Sequence, residues 1–328
     1  MRSKKNVQES SGFFKVAVIG TGRMAHAMME AVSKSKAIVV SAVASRELER
    51  AKELAQRHQI ENVYGSYDEL IHDDGYDLIY VSTINPTHYE IARKCLEARK
   101  AVMVEKPICL QREQVLDLVN LSRQTNTFLA EAMPLRYSSN MHLVQKLLQE
   151  GAIGKIRLIV SNLGIHCWDT ERIREKDLGG GALFDLGVYG ITLSDMLLPQ
   201  GKESIIALRN EENNVDSQII VTISKEDVQC VLINSTMVQT DGIVKIYGDA
   251  GKIIVNKAYS AERVFKFLGF RNFKLYRSKK NRYLAELDAC QNAIEKGQIE
   301  PDEYNHEDLL RVYEIVDKVI CCCNVSTL

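Results

Sequence analysis

Three side chains in two stretches of the sequence could exchange protons with a bound substrate. Lys106 stands in the run EKP, directly after a short apolar strand predicted over residues 101–104, and open α/β sheets bind ligands at the carboxyl ends of such strands. Asp185 and Tyr189 lie in the run GGGALFDLGVY. If a helix starts near Gly181, these two residues share one face of it. Taken separately, the lysine also fits a solvated charge, and the other two fit a surface pair.

A glycine-rich turn near the N-terminus predicts the element that would bring a cofactor to these residues. Residues 16–19 are an apolar run that ends in GTGRMA, and a helical pattern follows to about residue 34. In this G-x-G-x-x-A fingerprint, Gly20 makes the tight turn, Gly22 lets a diphosphate approach the backbone, and Ala25 allows close helix packing. The N–H groups at the helix start favour the diphosphate. Glycines also make ordinary strand–helix turns, so both flanking elements are needed for the prediction.

The end of the second predicted strand indicates which dinucleotide binds. That strand covers residues 37–44, and a Rossmann domain contacts the adenosine ribose at this position. An acidic residue there would favour NAD, whereas this chain has Ser45 and Arg46, which suit the 2′-phosphate of NADP. The alternative is an N-cap serine followed by an exposed arginine in a helix over residues 46–58. We expect NADP as the cofactor in preference to NAD.

Strand and helix patterns predict two kinds of domain. Strands alternate with helices as far as a strand over residues 128–132, which indicates an α/β Rossmann domain with a doubly wound parallel sheet. Several strands then follow with a single helix among them, over residues 181–197, which indicates an α+β domain with a large, open, mostly antiparallel sheet. We predict a flexible extension over residues 1–13, an NADP-binding domain over 14–131, and a substrate-binding and dimerisation domain over 132–328.

Composition excludes several classes of function. A chain of 328 residues with a formal net charge of -1 argues against a protein that binds nucleic acid by neutralising phosphates, and no run of about 18 apolar residues predicts a membrane span. The cysteines form no C-x-x-C pair, and with no export signal they indicate reduced thiols and a cytoplasmic location. The seven histidines are scattered singly. We therefore predict no metal site.

Together these motifs resemble the Gfo/Idh/MocA superfamily, which includes glucose–fructose oxidoreductase and inositol dehydrogenase. The resemblance extends from about Phe14 to Ile320 and is carried by VAVIGTGRMA, INPTH, VEKPI, GGGALFDLGVY and IYGDAGKIIV. It implies a Rossmann domain and a C-terminal open sheet, one face of which covers the active site while the other commonly forms a dimer interface. We therefore expect a homodimer, or a dimer of dimers, through that sheet.

Within the family, the motifs are most similar to those of the trans-dihydrodiol dehydrogenases. The form D-x-G-x-Y ends at Tyr189, where many members have histidine, and EAM is followed by Arg136 and a tyrosine. This chain has Pro134 where those enzymes tend to have tryptophan, and Ser139 where they tend to have proline. Both differences lie near the substrate side, so they leave the substrate class open.

The resemblance implies reversible hydride transfer between a secondary alcohol and nicotinamide. Tyr189 would take the hydroxyl proton as general base, or donate it during reduction. A phenol has a pKa of about 10, so a nearby cation is needed, and Lys106 would stabilise the phenolate and bond to the reacting oxygen. Asp185 would hold a neighbouring hydroxyl or balance the charge of Lys106.

The remaining predicted site residues contact the cofactor or the substrate. The cofactor contacts are Gly20, Thr21, Gly22, Arg23, Met24, Ser45, Arg46, Thr83, Asn85, His88, Glu105 and Lys106. The substrate contacts are Arg136, His166 and Trp168. His88 could instead be a structural helix residue, and His166 could be a loop residue bonded to backbone.

Two further functions remain open besides a dihydrodiol dehydrogenase. An aldose or inositol-type polyol also presents adjacent hydroxyls, so Lys106, Asp185 and Tyr189 do not distinguish it from a diol. A non-catalytic NADP-binding sensor on the same fold would be expected to lack one of these three residues.

Overall fold

The computed structural model of the chain describes residues 12–258, 263–268, 272–277 and 281–325. Most of the extension predicted over residues 1–13 lies outside the described residues. Its last two residues, Gly12 and Phe13, are exposed. The described chain forms two sheets, and the predicted site lies where they meet.

The first sheet has six parallel strands in the order β3-β2-β1-β4-β5-β6. Its strands are β1 (Phe14–Ile19), β2 (Ile38–Ala44), β3 (Asn62–Tyr64), β4 (Leu78–Val81), β5 (Val102–Glu105) and β6 (Leu129–Ala132). Its helices are α1 (Arg23–Val32), α2 (Leu48–His58), α3 (Tyr67–Ile71), α4 (His88–Glu97) and α5 (Arg112–Thr125). The apolar run in β1 is inaccessible to solvent because helices cover both faces of a doubly wound sheet. The predicted Rossmann topology is confirmed.

The second sheet has eight strands in the order β14-β13-β12-β11-β7-β10-β9-β8. Its strands are β7 (Ile156–Gly164), β8 (Glu203–Glu212), β9 (Val215–Lys225), β10 (Val228–Ser235), β11 (Val244–Gly248), β12 (Lys252–Asn256), β13 (Arg263–Leu268) and β14 (Asn272–Arg277). The helices of this half are α6 (Ser139–Gln149), α7 (Glu171–Arg174), α8 (Val188–Leu197), α9 (Arg282–Glu295) and α10 (His306–Val325). Only β7 and β10 pair in parallel. The predicted open, mostly antiparallel sheet is confirmed.

Strands β13 and β14 were not predicted from the sequence. They form an antiparallel hairpin at one edge of the second sheet. Lysine and arginine residues interrupt the apolar residues of both strands. The alternation of apolar and polar residues over each six-residue strand is therefore too weak to predict either strand. Pairing of β13 with β12 adds the hairpin to the sheet.

The helix predicted over residues 46–58 begins later than expected. Helix α2 starts at Leu48 with Glu47 at the N-cap position, and the hydroxyl of Ser45 accepts a hydrogen bond of 3.3 Å from the Glu47 backbone N–H. Ser45 is therefore not the N-cap of α2, and Arg46 lies in the turn before it. The alternative in which Ser45 caps this helix and Arg46 lies within it is therefore wrong.

The helix predicted over residues 181–197 begins with a π-helical turn, Leu183–Gly187, and continues as α8. Asp216 of β9 accepts a hydrogen bond of 2.6 Å from the Leu183 backbone N–H. Burial raises the pKa of Asp216 to about 6, so the acceptor is ionised at neutral pH. Gly181 has a φ of 106°, and a Cβ atom there would lie 2.2 Å from the Asp216 carboxylate. Glycine is therefore required at this helix entry.

Helix α9 returns the chain to the first sheet. Leu287, Cys290 and Ala293 pack into the same apolar cluster as β1 and β5, and the Cys290 sulfur lies 3.6 Å from that of Met103. Residues predicted to belong to the second domain thus contact the parallel sheet. The domain boundary at residue 131 remains a prediction.

Candidate active site

The three predicted catalytic residues meet at the carboxyl edge of the parallel sheet. The Lys106 ammonium donates a hydrogen bond of 2.6 Å to the Asp185 backbone carbonyl and lies 3.6 Å from the Asp185 carboxylate. The same nitrogen lies 4.9 Å from the centre of the Tyr189 ring. The Lys106 and Asp185 side chains are only 13% and 14% exposed, so each charge is largely removed from water.

Asp185 is held in its ionised form by two cations. Burial opposes its ionisation, but Lys106 and Arg172 outweigh that effect and hold the pKa of Asp185 below its usual value. The Arg172 guanidinium donates a hydrogen bond of 3.0 Å to the Asp185 carboxylate. Of the two roles predicted for Asp185, the structure shows the balancing of the Lys106 charge. Arg172 was missed because α7 lies in a stretch that the sequence indicates as a loop.

The environment of Tyr189 favours the protonated phenol. Burial, together with the negative charge of Glu105, raises the pKa of Tyr189 well above its usual value, and Arg282 opposes this rise. Lys106 lies over the ring face, in a cation–π contact. The predicted stabilisation of a Tyr189 phenolate by Lys106 stays a prediction. Arg282, the first residue of α9, is a second cation that the sequence reasoning missed, because nothing in its local pattern points to the site.

The turn after β1 suits a diphosphate. Gly20 has a φ of 112°, and a Cβ atom there would lie 2.8 Å from the Ser82 carbonyl oxygen, so only glycine lets β1 and β4 approach this closely. Gly22 is the N-cap of α1, with neither a side-chain cap nor an acidic residue in the first turn. Arg23 is exposed at this helix start, with Thr21 and Met24 half-buried beside it. Unsatisfied N–H groups and a neighbouring cation favour an anion.

The ribose-side pair lies at the end of β2, as predicted. Ser45 is buried with its backbone N–H bonded to the Tyr64 carbonyl of β3, whereas Arg46 is exposed. Arg46 lies in the turn between β2 and α2 rather than in the helix itself. Its predicted contact with a 2′-phosphate stays a prediction.

The loop after β4 is tied to the glycine run of the catalytic helix. The Asn85 side chain donates a hydrogen bond of 3.0 Å to the Gly179 carbonyl. The Thr87 hydroxyl donates one of 2.8 Å to that of Thr83. The first bond joins this loop to the glycine run, and the second lies within the loop, where cofactor contacts are predicted.

Two predicted cofactor residues are enclosed by the fold. His88 is inaccessible to solvent, with its ring nitrogens 2.8 Å from the Pro107 carbonyl and 3.2 Å from the Thr83 carbonyl. Glu105 is buried and accepts a hydrogen bond from the Tyr80 hydroxyl. Both side chains bond to groups within the protein, and their predicted contacts with the cofactor stay predictions.

The three predicted substrate residues have different surroundings. His166 is 61% exposed, 3.7 Å from Asp169, and Trp168 is half-buried in the same loop. Arg136 is buried, bonded to the Asp195 carboxylate and stacked 4.6 Å from the Tyr304 ring centre. Its charge and its planar face are both occupied within the protein, so a structural role replaces the predicted substrate contact of Arg136.

A buried carboxyl group near the site was missed. Glu286 of α9 is inaccessible to solvent, and neither of its carboxyl oxygens has a hydrogen-bond partner among the described residues. It lies one helical turn from Arg282 and one from Cys290, which faces β5. Burial and the charge of Glu105 raise the pKa of Glu286 well above its usual value. A glutamate in a helix carries no sequence signal of such burial.

The described part of the chain contains no group of three histidine, cysteine or acidic side chains placed to hold a metal ion. Among the helices whose residues the structure describes, none is both long and apolar enough to cross a bilayer.

Two family models match the chain in succession. Residues 14–132 match the oxidoreductase family with an NAD-binding Rossmann fold, and residues 141–254 match the GFO/IDH/MocA C-terminal domain. The trans-1,2-dihydrobenzene-1,2-diol dehydrogenase of Xenopus laevis is 35% identical over 227 residues, which cover 68% of this chain and 69% of the relative.

Solved structures share the whole fold. A 3-ketoreductase from Actinomadura kijaniata, in complex with NADP and TDP-benzene, superposes with a TM-score of 0.85 at 25% identity and covers 95% of this chain and 98% of its own. An aldose–aldose oxidoreductase from Caulobacter crescentus, complexed with glycerol, superposes with a TM-score of 0.87 at 20% identity and with the same coverage. At this level of identity the likeness shows the fold.

Replacing Glu286 with glutamine should make the protein less sensitive to alkaline pH. A buried group whose pKa is raised on folding stabilises the native state below its unfolded pKa, and that stability is lost as the pH rises through the folded pKa. Glu286→Gln keeps the shape but cannot ionise. Urea unfolding between about pH 5 and about pH 9 should therefore show the variant gaining stability relative to the wild type. A constant difference across this range would contradict the buried, protonated state of Glu286.

Proposed function

The chain belongs to the GFO/IDH/MocA oxidoreductase family, and from this we propose that it is an NADP-dependent dehydrogenase acting on a secondary alcohol of a vicinal diol. The observation that carries the proposal is the meeting of Lys106, Asp185 and Tyr189 beside a turn suited to a diphosphate. All three side chains are present and in contact, which favours an enzyme over a non-catalytic sensor.

Each residue of the site has a distinct task in the proposed reaction. When bound, a nicotinamide would supply the hydride acceptor for oxidation at the carbon that bears the reacting hydroxyl, and the hydride donor for reduction. During reduction the Tyr189 phenol gives its proton to the carbonyl oxygen as the hydride reaches the carbon. During oxidation the Tyr189 oxygen first loses its proton to solvent and then takes the proton of the substrate hydroxyl, so charge and atoms balance. Lys106 donates a hydrogen bond to the reacting oxygen, and Asp185 keeps the ammonium in place.

In the free protein Tyr189 is protonated, and this is the state that the reduction of a carbonyl requires. Because the pKa of Tyr189 is raised, the phenol is ready to donate a proton at neutral pH. Oxidation requires the same oxygen to lose its proton, and the positive charge of an oxidised nicotinamide would lower the pKa. The rate of oxidation is therefore expected to increase as the pH rises.

A vicinal diol is the substrate class that the relatives favour. The curated relative described above is named for a trans-dihydrodiol and matches two thirds of this chain at 35% identity. An aldose is the second candidate, because a structural neighbour with a TM-score of 0.87 is named for aldoses. Both classes present adjacent hydroxyls to Lys106 and Tyr189.

The proposed NADP preference is supported by Arg46. Its exposed side chain lies in the turn after β2, where a guanidinium can bond a phosphate through two N–H groups. Arg23, at the start of α1, is placed to balance the diphosphate. The eight free cysteines fit a reducing compartment, and we place the protein in the cytoplasm on that basis.

An exposed apolar row on the second sheet supports a homodimer. Leu208, Ile220 and Ile233 are direct cross-strand neighbours on β8, β9 and β10, and they are 58%, 43% and 37% exposed. Ile206, two residues before Leu208, is 64% exposed. A contiguous exposed apolar surface of this kind is typical of a protein interface. In the proposed homodimer, the same face of the sheet in a second copy covers this row.

Removal of the phenol or the amine should abolish turnover but preserve cofactor binding. Tyr189→Phe and Lys106→Met should each lower kcat by at least about a hundredfold, because proton transfer in the transition state is lost. Steady-state oxidation with NADP⁺ over trans-dihydrodiols, aldoses and inositols measures this effect, and NADPH fluorescence measures binding. Lys146→Met, at a lysine that is 70% exposed, is the matched control. Wild-type kcat in either site variant would refute the assignment.

The cofactor preference should depend on Arg46. Arg46→Gln is expected to raise KM for NADP⁺ by about ten- to a hundredfold and to leave KM for NAD⁺ unchanged, because only NADP carries the phosphate. Arg50→Gln, at an exposed arginine in the first turn of α2, serves as the control. Equal effects on both cofactors would mean that Arg46 does not read the 2′-phosphate.

A charge in the apolar row should separate the proposed dimer. Leu208→Glu would place carboxylates opposite one another across the interface, and sedimentation equilibrium should then give the mass of one chain. Leu116→Glu, at a leucine of α5 that is 38% exposed, controls for surface charge. A wild-type protein that sediments as a monomer would rule out this interface.

A further inference from the structure

The backbone beside Lys106 is held by a buried carboxyl group from the neighbouring strand. Glu131 of β6 is 1% exposed, and its Oε1 accepts a hydrogen bond of 2.9 Å from the Ile108 backbone N–H. Ile108 is two residues after Lys106. The peptide bond between Lys106 and Pro107 is cis, and the Pro107 carbonyl lies 2.8 Å from the His88 ring. The turn is thus held from both sides.

Two tyrosines from the C-terminal part of the chain complete the site of Glu131. The Tyr313 hydroxyl of α10 donates 2.6 Å to Oε1 and also accepts from the Ile108 N–H at 2.9 Å. The Tyr304 hydroxyl donates 3.0 Å to Oε2, and its ring stacks on Arg136. Helix α10 is therefore joined through Glu131 to the turn that carries the lysine.

Burying a carboxyl group costs free energy that a purely structural contact between apolar side chains would avoid. Burial raises the pKa of Glu131, although its three hydrogen bonds and the Lys106 charge favour the ionised form. An apolar side chain of similar volume would fill the same space without a buried charge, and such replacements are often neutral or stabilising. An apolar residue, however, has no atom that accepts the hydrogen bonds which Ile108, Tyr304 and Tyr313 donate to Glu131.

We infer that Glu131 is a positioning residue, which fixes the Lys106–Ile108 turn so that the lysine ammonium stays aimed at the reacting oxygen. This rests on the proposed dehydrogenase function for the identity of that oxygen. The placement of the ammonium itself is a property of the free protein. The Tyr304 and Tyr313 hydroxyls extend the same support to α10.

The placement of Lys106 can be measured without a substrate. Limited reductive methylation followed by peptide mass spectrometry reports the reactivity of each lysine, and Lys146 provides an exposed internal reference. In Glu131→Met the unbranched apolar side chain leaves the Ile108 N–H without its carboxylate, and Lys106 should be methylated at least about fivefold faster relative to Lys146. Glu131→Gln, which keeps an acceptor oxygen, should remain near the wild-type rate.

The same variants separate positioning from folding. Glu131→Met should lower kcat by at least about tenfold with KM for NADP⁺ unchanged, while Glu131→Gln retains most of the activity. Glu203→Gln, at a largely buried acid of β8 that accepts a hydrogen bond of 2.6 Å from Lys318 of α10, should lower the melting temperature but leave kcat and Lys106 labelling unchanged. If Glu131→Met does not fold, Tyr313→Phe is the substitute, with a smaller effect in the same direction.

Each outcome has one meaning. Lys106 labelling at the wild-type rate in Glu131→Met would overturn the inference, and so would an equal gain in labelling in Glu203→Gln. A wild-type protein that oxidises no substrate in the panel would instead refute the proposed dehydrogenase, and the labelling ratio would still decide the role of Glu131.

Discussion

The candidate active site depends on the position of one ammonium group, that of Lys106. Lys106 keeps a largely buried charge between the Asp185 carbonyl, the Asp185 carboxylate and the face of the Tyr189 ring. A buried charge needs several partners at once. These partners come from the junction of the two sheets, so the parallel sheet supplies the lysine and the second sheet supplies the helix that receives it. Both halves must fold for the site to exist.

The second sheet meets this requirement through the entry to its helix. A π-helical turn changes the spacing of Asp185 relative to the rest of α8, and it is anchored by Asp216 from β9. Such turns are frequent at functional sites because they redirect a side chain without breaking the helix. Gly181 makes the anchor sterically feasible, since any side chain would collide with Asp216. The glycine run therefore serves the geometry of the helix start.

Local patterns in the sequence were sufficient for the two fold classes, apart from the β13–β14 hairpin, but not for the electrostatics of the site. The apolar run before Gly20 is local, so the Rossmann sheet could be predicted from the residues themselves, whereas the approach of Tyr189 to Lys106 was implied by the family resemblance. Arg172, Arg282 and Glu286 reach the site through packing between distant segments, and nothing in their neighbouring residues indicates that packing. Arg136 shows the opposite error. The resemblance of its motif led to a predicted substrate contact, whereas the fold buries its side chain against Asp195.

The most direct test is the near-ultraviolet absorbance of NADPH during incubation of the purified protein with NADP⁺ and, in turn, trans-dihydrodiols, aldoses and inositols. The proposed function predicts formation of NADPH from NADP⁺ with a vicinal diol, little NADH from NAD⁺, and almost no NADPH in Tyr189→Phe. Tight NADPH binding without turnover of any of these compounds would contradict the proposed diol dehydrogenase. It would favour instead the non-catalytic sensor, in which Lys106, Asp185 and Tyr189 meet but carry no reaction.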